Sequence, residues 1–215
     1  MWSRLADTMQ SWLSDLRGLR RVLLTLAILF FTIMLLEVDL GHRPALARQE
    51  SWLALVPVVW LPISLVALMT VQIAPSLATA LLAMTVMAVT ATIGMAGSGL
   101  HMMAAGVDLE HLSRAFSSTV WGGHESPNWP VAITLAAVLG FIASIGARRS
   151  DEGLPCDFAG MASAIGYALI VAGIAFSALP SLVMISAACL LSAALLMLAV
   201  LIAMLTNAAT QRSVS

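Results

Sequence analysis

Apolar residues in this chain run in long blocks rather than alternating with polar ones. Crossing ~30 Å of hydrocarbon takes about 20 helical residues. Six stretches approach that length, at about 22–38, 52–73, 75–100, 129–147, 160–179 and 181–205. Only Ala74-Pro75 parts the second from the third, and Ala178-Leu179-Pro180 parts the fifth from the sixth. Proline suits a first helical turn and breaks a helix interior. Each double block therefore predicts a tight helical hairpin, with one long kinked helix as the alternative. Pro57 and Pro62 each remove a backbone donor and are expected to bend the second helix.

Upstream of the first run, Trp2, Leu5, Met9, Trp12, Leu13 and Leu16 recur at helical spacing, with Asp7, Ser11, Asp15 and Arg17 between them. This pattern predicts a short amphipathic helix lying on the membrane surface. A partly ordered tail is the plainer alternative. The expected fold is all-α. It is a polytopic membrane bundle of about six transmembrane helices at 21–207, preceded by an amphipathic segment at 1–20 and followed by a tail at 208–215. Ala45-Leu46-Ala47 resembles a signal-peptidase site. However, the first apolar run is longer than a signal sequence needs, and Glu37, Asp39 and His42 intervene. The run is therefore read as a retained helix.

Composition strengthens this picture. The 215 residues are 60% hydrophobic and only 10% charged, whereas soluble domains carry roughly 25% charged residues. A net charge of -1 offers no basic surface for nucleic acid. Every basic residue is an arginine. Arg4, Arg17, Arg20, Arg21, Arg148, Arg149 and Arg212 fall on one side of six crossings, and Arg43, Arg48 and Arg114 fall on the other. The first group marks the cytoplasmic side, which puts both termini inside a plasma membrane of the bacterial inner-membrane type. Cys156 then lies in a reducing compartment and Cys189 within an apolar run, so no disulfide is expected.

Lipid is as apolar as leucine, so packing must come from small residues and hydrogen bonds. Candidate packing lines are Ala136, Gly140 and Ser144; Gly160 and Ala164; and Ala188 and Ser192. Gly94, Gly97 and Gly99 are expected to loosen or thin the end of the third helix. The 13 methionines are read as gap fillers rather than a copper path. Trp52, Trp60, Trp121 and Trp129 suit the interfacial belt.

Candidate chemistry collects on the non-cytoplasmic side. All four histidines (His42, His101, His111, His124) map there, with Glu37, Asp39, Glu50, Asp108, Glu110 and Glu125. Imidazole and carboxylate together suit a divalent transition metal such as zinc, iron or copper. The candidate ligands are Glu37, Asp39, His42, His101 and His124. Glu37 sits near the end of an apolar helix, where a carboxylate needs a partner or water. Asp39 and His42 are three residues apart and can share a helical face, and Gly122-Gly123 before His124 can aim it inward. The plainer reading is that extramembrane loops simply carry charge. Asp108, Glu110, His111 and Arg114 then form a solvated turn, Glu37 snorkels or pairs with a base, and His101 makes a structural hydrogen bond.

Several functions stay open at this level. The chain binds a metal ion or small polar solute on its outer side; or it anchors or assembles a larger membrane complex, with other subunits or with copies of itself; or it is a small transporter. An enzyme is the weaker reading. Haem needs axial ligands paired across helices, and only His101 approaches a helix interior. Ser98 and His101 share one segment, which does not make a protease constellation.

Overall fold

A computed structural model describes residues 18–38, 40, 55–104, 128–145, 158–177 and 180–214. Among them every regular element is helical, and together they form a bundle. Helix α1 spans Gly18–Val38, α2 Leu55–Ile73 and α3 Leu77–Ala104. Helix α4 spans Asn128–Ser144, α5 Phe158–Ser177 and α6 Val183–Val214. The amphipathic segment expected at 1–20 lies almost wholly outside the described residues.

Five helices are long and apolar enough to cross a membrane. The exception is α4, whose apolar part, Pro130–Ser144, reaches only about 22 Å at 1.5 Å per residue. Two boundaries move in ways that matter. Helix α1 is already helical at residue 18, so Arg20 and Arg21 lie within it, ahead of the apolar run. Helix α3 extends past residue 100 and brings His101 into its last turn.

Both hairpins form, so neither double block is one kinked helix. After α2 the chain turns at 74–76. Ser76 caps α3: its Oγ accepts from Thr79 N at 3.1 Å, while Ser76 N donates to Thr79 Oγ1 at 2.9 Å. This reciprocal pair satisfies two amides that a helix start leaves open. Pro180 opens a 3₁₀ turn, Pro180–Leu182, leading into α6. Helix α2 continues through Pro62.

Polar side chains in the helices mostly bond within their own turn. Thr32, Ser64, Thr70, Thr90, Thr92, Thr134 and Ser144 each donate to the carbonyl four residues earlier, at 2.7–3.0 Å. A hydroxyl in hydrocarbon has no water to bond, so the nearest free lone pair is a carbonyl of its own helix.

Glycine seats hold the helices together. A Cβ on Gly94 would lie 2.8 Å from Pro130 O, and one on Gly140 would lie 2.9 Å from Met87 Sδ and 3.0 Å from Leu68 Cδ2. Helix α4 thus packs along α3 and touches α2. Ala136 and Ser144 are buried on the same line, as their spacing predicted. Gly173 sits against Leu190 in the same way, joining α5 to α6. Two expectations from small-residue spacing are corrected here. Ala188 and Ser192 are exposed, and α6 packs instead through Ser186, Leu190, Ala193 and Met197. Ala164 is exposed too, and Gly166 and Gly173 make the close approach on α5. Gly94 and Gly97 are seats for α4 rather than loosened backbone.

Helix α1 is the most enclosed. Of its spanning window 56% is buried, against 33% for α3 and for α6. It bridges the two packed groups, since Thr25 meets Gln72 of α2 and Met204 of α6.

Candidate functional site

The contacts fix which helix ends lie together. Thr25, early in α1, meets Gln72, late in α2, and Met204, late in α6. Trp60 and Ser64 of α2 meet Thr90 of α3, and Gly97 meets Pro130 at the start of α4. Neighbours therefore run antiparallel. Glu37, Leu55, His101, Asn128 and Pro180 belong to one end of the bundle, and Arg20, Arg21, Gln72 and Ser76 to the other. The connections 39–54 and 105–127, which carry the remaining histidines, both join helices at the His101 end.

His101 is placed by the packing of α3. Ala83, Met87, Thr90 and Gly94 are buried. Gly97 and His101 continue the same stripe at spacings of three and four residues and are half-buried. A helix repeats every 3.6 residues, so the stripe keeps to one face. Its lower part holds a polar knot. Trp60 Nε1 donates to Thr90 Oγ1 at 2.9 Å, and Ser64 Oγ lies 2.8 Å from the same oxygen. One turn beyond Gly97, where α4 begins, the stripe ends in His101. The imidazole is thus on the bundle-facing side of α3, not its lipid side.

Glu37 is placed differently. It belongs to the least buried stripe of α1, with Leu23, Leu26, Phe30, Ile33 and Leu40. The opposite faces of α1 are filled by Leu24, Ile28, Phe31 and Leu35, all nearly fully buried. Carboxylate oxygen Oε2 of Glu37 is shut off from solvent and accepts no hydrogen bond among the described residues. His101 and Glu37 therefore share an end of the bundle but lie on unlike faces, one inward and one open.

Asp39, His42 and His124 lie outside the described residues, as do Glu50, Asp108, Glu110, His111, Glu125 and Cys156. Among the described residues no three His, Cys, Asp or Glu side chains gather as a metal site would need.

Two buried polar residues were missed from sequence. Gln72 is buried, donates from Nε2 to Thr25 Oγ1 at 3.2 Å, and leaves Oε1 without a partner. Tyr167, the only tyrosine of the chain, is buried in α5 with its hydroxyl unpartnered. Their signal was available, since each is a lone strong polar group in an apolar run. No protein-family model matches the chain, and no curated protein or solved structure is similar to it.

Proposed function

We propose that this multi-pass membrane protein is an assembly subunit, built to sit beside other membrane proteins in a plasma membrane of the inner-membrane type with its arginine-rich end in the cytoplasm. One observation carries the reading. Glu37 occupies the open stripe of the otherwise enclosed helix α1, and its Oε2 has no donor among the described residues. Ionisable groups within spanning helices are costly unless paired, and they mark working sites. The bridging position of α1 adds support. The test is native mass measurement after release from its own membranes in mild detergent and in polymer nanodiscs. The assembly reading expects a particle larger than the 22.6 kDa chain with its lipid or detergent, holding a second chain at fixed stoichiometry. A lone monomer in both preparations ends the proposal.

A second reading takes the His101 end as a site for a divalent transition metal or small polar solute, with Glu37, Asp39, His42, His101 and His124 as candidate ligands. It is supported by the inward stripe of α3 ending in His101 at the same end as Glu37. Elemental analysis of the purified protein, before and after His101→Ala, tests it. Stoichiometric metal lost with the imidazole supports the site, and no metal in either preparation excludes its metal form.

A further inference from the structure

We infer that the open stripe of α1 is the seat of one transmembrane helix from a partner protein, and that this helix carries an arginine or lysine at the depth of Glu37. The inference rests on the assembly reading and names the partner's chemistry.

Shape comes first. Leu23, Leu26, Phe30, Ile33, Glu37 and Leu40 follow one another at alternating spacings of three and four residues. Phe30 is 43% exposed and Ile33 40%, while their neighbours Leu29, Phe31, Thr32 and Met34 are 8% exposed or less. The open strip is thus one side chain wide. A helix packing at a shallow angle contacts its neighbour along such a three-four seam. A broad lipid face, by contrast, exposes most of a helix, as α3 does at Leu77, Leu81, Leu82, Met95 and Met103.

Charge then selects among helices. Leucine and phenylalanine along the seam are equally content in lipid, so they supply packing but little choice of partner. Glu37 is the exception. A single polar residue in an apolar seam fixes register and partner identity. Its Oε2 is tucked away from solvent and lacks a donor among the described residues, and the only basic side chains of the described helices α1 to α5 outside His101 are Arg20 and Arg21, at the far end of α1. A cationic side chain at matching depth would give the carboxylate its donor and neutralise both charges.

The experiment uses the full chain, donor-labelled and reconstituted in liposomes, with acceptor-labelled synthetic helices of about 20 apolar residues. One helix carries Arg near the end that meets Glu37, one carries Leu there, and one carries Arg about two turns deeper. Resonance energy transfer reads association. The expected result is about tenfold tighter association of the first helix, the effect of one interhelical polar pair. Glu37→Gln removes that preference, Glu37→Asp restores most of it, and Ile33→Trp weakens all three helices by filling the seam. Circular dichroism checks that each variant keeps its helices.

Equal association of the Arg and Leu helices overturns the inference. So does a preference that survives Glu37→Gln. Energy transfer between two labelled copies of this chain that Ile33→Trp abolishes would assign the stripe to self-association and also overturn it. A native complex that persists unchanged in Glu37→Gln would leave the assembly reading standing while removing Glu37 as its contact.

Discussion

Gln72 Nε2 donates to Thr25 Oγ1 across 3.2 Å and ties the end of α2 to α1 at the point where Met204 of α6 closes on the same hydroxyl at 4.0 Å. The joint is half-satisfied, because Gln72 Oε1 has no partner. A buried group that loses its partner costs about 1–3 kcal/mol, whereas removing both partners together is nearly neutral. Thr25→Val is therefore expected to destabilise the bundle by about 1–2 kcal/mol, since it strands the whole Gln72 amide. Gln72→Leu should cost less, and adding it to Thr25→Val should recover most of the loss. Thermal unfolding of the four proteins in one detergent checks the cycle. Strictly additive losses would count against this account of the joint.

Thr90 holds two partners from the next helix, Trp60 Nε1 and Ser64 Oγ. Thr90→Val keeps the shape and removes the acceptor of the Trp60 Nε1 bond, leaving the indole N–H unpaired. A loss of about 1–2 kcal/mol is expected, while Thr90→Ser should stay close to the parent. Unfolding midpoints measure the difference. A Thr90→Val protein as stable as the parent would show that these bonds form without net benefit.

Gly94 and Gly99 lie five residues apart on one helix, yet they should respond oppositely. A Cβ on Gly94 meets Pro130 O at 2.8 Å and Thr134 N at 3.0 Å, while one on Gly99 meets nothing within 4 Å. Backbone cannot yield as a side-chain tip does. Gly94→Val is expected to prise α4 from α3 and cost about 1–3 kcal/mol. Gly99→Ala should be neutral or stabilising by up to about 1 kcal/mol, from helix propensity. Limited proteolysis in the connection 105–127, together with melting temperature, reads both effects.

Topology gives a fourth prediction. Antiparallel packing places Glu37 and His101 at one end and Gly18 at the other. In a background with Cys156→Ser and Cys189→Ser, single cysteines at positions 40 and 103 should react with an impermeant maleimide from one side of sealed vesicles, and one at position 18 from the other. With the arginine-rich end in the cytoplasm, positions 40 and 103 label from outside intact cells. Labelling of 40 and 103 from opposite sides would break the antiparallel pairing of α2 with α3.

The sequence determined that the chain is helical, with helices apolar enough to cross a membrane, and roughly where those helices lie; it favoured a hairpin for each double block, and the structure removed the kinked-helix alternative. Backbone amides in hydrocarbon must bond one another, so apolar length alone dictates helices, whereas a proline marks where a break can fall without deciding it, as Pro62 inside the continuous α2 shows. The Ala136, Gly140 and Ser144 line was legible for the same kind of reason, because a run of small side chains at four-residue spacing has few uses besides close approach. Ala188 and Ser192 show where this logic stops. They have the same spacing but face outward, because every face of these helices is apolar and spacing alone cannot say which one finds a neighbour. Tertiary packing decided that, and with it the facing of the candidate residues. His101 turned inward because Gly94 and Gly97 on its stripe receive α4, whereas Glu37 stayed on the open strip because the other sides of α1 were already filled.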